Sequence, residues 1–298
     1  MTFRSCARYC GKSQHLNVMR MVGQKVVHST RSLACLLLLV GLGYSAQAQG
    51  MDGALPDAPS AQVAAAGAPA TQAGSDEDIT VRRVPINVLK DQGPIWTSPF
   101  RIRAHDLVWV APLVLATGAA IATDHRTLRD IVSHDSALNN ASTNTSNYLI
   151  SGFIAAPVVF YGVGHYGGNE HARETGLLSA QALLDGLVVE QGMKLVFWRE
   201  RPYQDAGRGR FFQSSAGVDS SFPSSHSVVA WSTAAVIAGE YHNPWTSILV
   251  YSGAAGVSFT RLAGQQHFPS DILVGSAAGW LIGHYVYRHH HKYVEIGR

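Results

Sequence analysis

The chain of 298 residues is 46% hydrophobic, 14% charged and 9% aromatic, which excludes a disordered or fibrous protein and leaves material for one sizeable core. The formal charge of +3 is an effect of position: residues 1–48 hold six basic and no acidic side chains, and the remainder carries 17 basic against 20 acidic. The body of the chain therefore offers no global electrostatic case for a nucleic-acid partner.

In chain order, residues 1–48 read as a signal peptide. A basic stretch precedes the apolar run Leu33–Gly43, and Ala46-Gln47-Ala48 supplies the small-x-small cleavage pattern. An uncleaved anchor helix is the alternative, although the run is shorter than the ~20 residues of a comfortable span. Cys6, Cys10 and Cys35, the three cysteines of the chain, all lie in this leader, so a mature protein without it has neither disulfides nor thiolate metal sites. Residues 49–80 are rich in Ala, Gly, Pro, Ser and Asp without apolar period, and read as a disordered linker. Over 81–105, Pro85, Pro94 and Pro99 interrupt any regular pattern while Ile95, Trp96, Phe100 and Ile102 can dock on a core; an irregular segment packed on the core is expected.

A helical domain is expected over 106–298. Six apolar segments of helical length run over 106–123, 147–164, 175–194, 226–240, 245–259 and 270–288, separated by polar or Gly/Pro-bearing turns. The third shows the period best, with Leu177, Ala180, Leu184, Leu187 and Val188 on one face and Gln181, Asp185 and Gln191 off it. No stretch alternates with a period of two, so the fold class is all-α, a six-helix bundle.

Three short stretches carry the chemistry. Lys194 and Arg201 lie seven residues apart at the end of the third segment, two helical turns, and Pro202 stops the helix. Two cations converging from a helix end suit an oxyanion, but a solvated basic helix end reads the same way. Phe222-Pro-Ser-Ser-His226 stands directly before the fourth segment, where unpaired backbone amides and the helix dipole favour a phosphate-like group and a histidine can supply a proton. A Ser-capped helix start with an incidental histidine is the plain alternative. Between the fifth and sixth segments, Asp271 lies four residues after His267, where a carboxylate can hold one imidazole nitrogen and free the other to attack; Arg261 adds a third cation.

Lys194-x6-Arg201-Pro202, Pro223-Ser224-Ser225-His226 and Arg261-x5-His267-x3-Asp271, in that order, resemble the signature of the type 2 phosphatidic acid phosphatase superfamily, which includes bacterial acid phosphatases and vanadium haloperoxidases. The resemblance covers residues 106–288 and places the active site at the helix ends. It implies that Lys194, Arg201 and Arg261, with backbone amides around Ser224 and Ser225, bind phosphoryl oxygens. It further implies that His267 attacks phosphorus, that Asp271 orients it, and that His226 protonates the leaving oxygen. Three cations match the charge spread over the equatorial oxygens, so neither metal nor other cofactor is expected. Two positions depart from the common pattern: Ser225 stands where glycine is usual and Thr260 where serine is usual, which touches substrate fit more than charge or nucleophile.

The leading expectation is thus a metal-independent phosphatase acting on a phosphorylated small molecule or lipid. A vanadate-dependent haloperoxidase and a decayed phosphate-binding envelope protein are the alternatives. The apolar runs of 13 to 17 residues, with Asp185 and Glu190 inside the third, favour a soluble or peripheral periplasmic domain over an integral membrane one, and membrane association stays open. His289-His-His291 beside Lys292 reads as a solvated tail, with metal binding as its alternative, and Glu190 as a same-face helix partner of Lys194.

Overall fold

The computed structural model describes residues 80–204, 207–214 and 219–292, so the signal peptide and, except for Thr80, the linker lie outside the described residues. Seven α-helices and no strand occur among these residues: α1 Val84–Thr97, α2 Leu107–Asp130, α3 Ser136–Gly167, α4 Glu170–Phe197, α5 Ser225–Glu240, α6 Pro244–Ala263 and α7 Pro269–His290. Two 3-10 turns, Ser98–Arg101 and Ala104–Asp106, join α1 to α2. The all-α architecture stands, with one helix more than expected.

The added helix is α1, in the segment expected to be irregular. Pro85 sits in its first turn, where the missing amide has no intrahelical role, and Pro94 lies inside it near the end. Tertiary contacts then hold the helix: Val84 and Val88 pack with Leu177, and Gln92 Nε2 donates to Asp185 Oδ1 at 2.8 Å. Gln181 Nε2 donates to Asp91 Oδ2 at 2.7 Å.

Helix α5 occupies the centre, with Ala230, Ala234 and Val236 wholly buried, and packs against α3, α4, α6 and α7. Its closest neighbour is α7, which presents Gly275, Gly279 and Gly283 at four-residue spacing. A Cβ at Gly279 would collide with the Val228 carbonyl and one at Gly283 with the Ser232 carbonyl, so glycine is required for this approach.

The helices outrun the apolar segments that announced them. At α3 the Asp135 carboxylate caps the start, accepting from the amides of Ala137 at 2.8 Å and Leu138 at 3.3 Å, so a polar run of Ser, Thr and Asn continues the apolar stretch as helix. Ala104–Asp130 and Ser136–Gly167 are consequently long and apolar enough to cross a membrane, which corrects the argument from short runs. Their outer faces expose Val108, Leu115, Val158 and Val163.

Helix α4 departs from the expected faces in part, since Leu177 of the apolar stripe is buried as expected but its neighbours further along are not. Gln181 and Asp185 are wholly buried, whereas Leu184 and Val188 are 40% and 44% exposed. The polar stripe finds its partners on α1 and, at the site end, on α5, leaving Leu184 and Val188 outside. An apolar period identifies a face but does not say whether protein or lipid covers it.

Candidate active site

The three stretches converge at one end of the bundle, where α4 and α6 finish and α5 and α7 begin. The chain between α4 and α5 does not prolong the helix as the spacing suggested: α4 stops at Phe197, and Trp198 adopts left-handed geometry with φ of 37°. Arg201 returns to the site on a loop stitched by Glu200 N to Arg210 O at 3.0 Å and Ser221 N to Arg199 O at 2.8 Å. A cleft of about 340 Å³ gathers Lys194, Arg201, Ser225, His226, Arg261 and His267, with Tyr203, Asp219 and Gln266 at its rim.

The three cations are held differently. Lys194 Nζ lies 2.8 Å from Glu190 Oε1, the same-face pair read from the sequence, and donates to Ser225 Oγ at 3.0 Å. Ser225 in turn donates to Glu190 Oε1 at 2.5 Å. Arg201 Nη2 donates to Asp219 Oδ1 at 2.6 Å and its Nε to the Asp219 carbonyl at 2.8 Å. Arg261 is 6% exposed and forms no ion pair among the described residues. Burial and the neighbouring Arg201 lower its pKa to about 10, so it stays charged in neutral solution. A buried, uncompensated guanidinium facing a cleft favours an anion there.

His267 is 1% exposed. Its Nδ1 donates to the Ser221 carbonyl at 2.9 Å and lies 3.5 Å from Asp271 Oδ2, so the carbonyl is the nearer partner of the proton that sequence spacing assigned to Asp271. With Nδ1 protonated, Nε2 keeps its lone pair. Burial lowers the His267 pKa to about 4 against the opposing pull of Asp271, with Arg201 and Arg261 adding to the drop. The ring is neutral near pH 7, the form a nucleophile requires.

Asp271 is fully engaged. Oδ2 accepts from Ser221 Oγ at 2.5 Å and from the Phe268 amide at 2.9 Å, and Oδ1 accepts from Arg199 Nη1 at 2.6 Å. Burial alone would raise its pKa, but the His267 ring, the Arg199 guanidinium and the Ser221 hydroxyl together hold it below the usual value. Arg199 reaches three ways: its Nη2 donates to Asp124 Oδ2 at 2.6 Å, Nη1 also to Ser270 Oγ at 2.6 Å, and Nε to the Gly209 carbonyl at 3.1 Å. Phe211 and Phe268 cover its guanidinium at 4.5 and 4.2 Å.

His226 occupies the first turn of α5, half-buried, with Nε2 at 3.2 Å from Asn147 Oδ1 on α3. Burial, then Arg261, His267, Arg201 and Lys194, lower its pKa to about 3, so the free site holds it neutral. Ser224 departs from its expected role: its amide donates to the Asp271 carbonyl at 3.1 Å, and its buried hydroxyl has no partner. The amides of Ser225, His226 and Ser227, in the first turn, are the ones without an intrahelical acceptor. Ser225 has negative φ, so the helix start accepts a side chain where glycine is usual.

Sequence reasoning missed Arg199, Asp124, Ser221 and Asn147. Asp124 lies among His125, Arg126, Arg129 and Asp130 at the polar end of α2 and does not stand out from them; the other three carry no signal outside the fold.

Residues 175–295 match the family model of the PAP2 superfamily. This segment belongs to that superfamily. The match contains all three stretches, whereas α1, α2 and α3, with Asp124 and Asn147, precede it. The chain is also 35% identical over 65 residues, 21% of its length, to a lipid A 1-phosphatase of Porphyromonas gingivalis, and spans 15% of that relative's length. No solved structure matches the chain significantly.

Proposed function

We propose that this protein is a metal-independent phosphatase of the cell envelope that removes phosphate from a membrane lipid through a phosphohistidine on His267, with α2 and α3 crossing the bilayer. The observation that carries the reading is His267 itself: a buried neutral ring, tied at Nδ1 and open at Nε2, in a cleft with Lys194, Arg201 and Arg261.

In this reading the cations and the amides at the start of α5 take the phosphoryl oxygens. The His267 Nε2 lone pair forms a bond to phosphorus while the bond to the lipid oxygen breaks, and that oxygen takes a proton from His226. Water then attacks phosphorus and gives its proton to His226; the P–N bond breaks with its electrons returning to His267, and phosphate leaves. His226 must be protonated for the first step. Its ring is neutral in the free site because burial, and then the surrounding cations, disfavour its charge; an arriving phosphate offsets the field of the cations and favours the protonated ring.

A lipid substrate is supported by the apolar exposed faces of α2 and α3 beside the cleft and by the substrate in the name of the Porphyromonas relative. The test uses the full chain purified in detergent and assayed on lipid phosphomonoesters, lipid diphosphates and soluble phosphoesters, with EDTA present. Lipid substrates should be preferred, and acid-quenched enzyme should carry an acid-labile, base-stable phosphate that His267→Ala lacks. Full activity in His267→Ala, or bromide oxidation with vanadate and peroxide in place of hydrolysis, overturns the assignment.

A further inference from the structure

The histidine run at the end of α7 is not a solvated tail. His290 Nε2 lies 3.0 Å from Asp91 Oδ2, and His291 Nδ1 lies 2.9 Å from Glu240 Oε1 and 3.6 Å from Glu174 Oε1. Glu174 and Lys194 stand twenty residues apart on α4, about 30 Å of helix, so this cluster occupies the pole opposite the catalytic cleft.

We propose that Glu174, Glu240 and His291 bind a divalent transition-metal ion of the zinc class. One ligand atom from each comes within 4.8 Å of the others. Zinc bonds of about 2.0–2.1 Å to nitrogen and oxygen put tetrahedral ligand atoms roughly 3.3 Å apart, and the two His291 separations, 2.9 and 3.6 Å, bracket that edge. The side chain of Glu240 is wholly buried and that of Glu174 is 12% exposed, so two carboxylates share a desolvated space that calls for compensating positive charge. His171 Nε2 approaches the other oxygen of Glu240 at 3.1 Å and offers a fourth ligand, the second nitrogen of the set. A set of carboxylate oxygen and imidazole nitrogen selects zinc over magnesium or calcium, which prefer oxygen alone. The ion would tie the end of α7 to the start of α4 and the end of α5, a fastening role separate from phosphate chemistry.

The experiment uses full-length protein in detergent, purified through a histidine-free tag, stripped with EDTA and titrated with Co²⁺ and Zn²⁺. One ion per chain should bind, with tetrahedral Co²⁺ visible absorption and a rise in melting temperature on adding Zn²⁺. Both signals should vanish in Glu240→Gln and in His291→Gln and persist in His289→Gln and His267→Ala. The partly exposed His291 keeps the test decisive where Glu240→Gln fails to fold. No saturable binding, or binding unchanged in His291→Gln, overturns the metal site. Loss of binding in His267→Ala would also overturn it by moving the ion to the cleft.

Discussion

Arg199 and Asp271, each no more than 1% exposed, pair at 2.6 Å and so fasten the loop after α4 to the helix that begins just past the nucleophile. The same guanidinium holds Asp124 on α2, so one residue locks three parts of the chain around the site. Arg199→Ala would strand two buried carboxylates, and breaking a buried pair costs about 3–5 kcal/mol. We expect a large loss of thermal stability. Arg199→Lys should recover part of the stability but little of the activity, because a point charge cannot reproduce a fork that donates to Asp124, Ser270 and Asp271 together. Melting curves with kcat for both variants check this, and an Arg199→Ala protein as stable and active as wild type would show the network to be incidental.

Asp271→Asn tests who holds the imidazole. Where a carboxylate alone sets the tautomer, the amide substitution removes about 10⁴-fold in kcat. Here the Ser221 carbonyl is closer to His267 Nδ1 than the carboxylate is, so the tautomer survives. The expected loss is about 10²-fold, from the missing charge beside an imidazole that becomes positive in the phosphorylated state.

His226→Ala should depend on the leaving group. General acids contribute about 10²–10⁴-fold, most for poor leaving groups. An alkyl or lipid phosphate should therefore lose that much in kcat/KM, and nitrophenyl phosphate far less. Equal losses on both would make His226 a binding residue.

The pH response follows from the lowered histidines. A lowered pKa means that the neutral form dominates above it: about 4 for His267 and about 3 for His226 in the free site. The nucleophile should therefore stay competent as pH falls from 7 towards 5 and fail only as it protonates near 4. Histidine-selective nitrogen NMR should show both rings neutral at pH 6, and vanadate should raise the His226 titration alone. A His267 midpoint near 6.5 would contradict the buried geometry.

Membrane insertion is tested on the outer helix faces. Leu115 and Val158 are 74% and 72% exposed on α2 and α3. Lysine at the centre of a spanning helix costs about 2.5–3.5 kcal/mol on insertion scales. Leu115→Lys and Val158→Lys should sharply reduce the amount of enzyme in the membrane fraction, and wild-type activity should require detergent for extraction. Activity in the soluble fraction without detergent would show that the apolar faces serve another contact.

Six of the nine residues that line the cleft were legible in the sequence because their spacings are local, as with Lys194 before Arg201, His226 at a helix start and His267 one turn before Asp271, whereas Tyr203, Asp219 and Gln266 were not. The helical class was legible for the same reason, since each apolar run repeats within a few turns of its own chain. What the order of residues could not decide was partnership across the fold. Arg199 looks like any basic residue of a helix end until Asp124, Ser270 and Asp271 surround it from 71 to 75 positions away. Likewise α1 disappears among its prolines until Asp185 and Gln181 offer it partners, and Leu184 looks like core until α1 has taken the opposite face of α4. Local pattern reports what a side chain is and which neighbours share its face. Only the packed chain determines which surface is desolvated, and that determines whether a charge becomes a hidden strut, an open anion site or a solvated end.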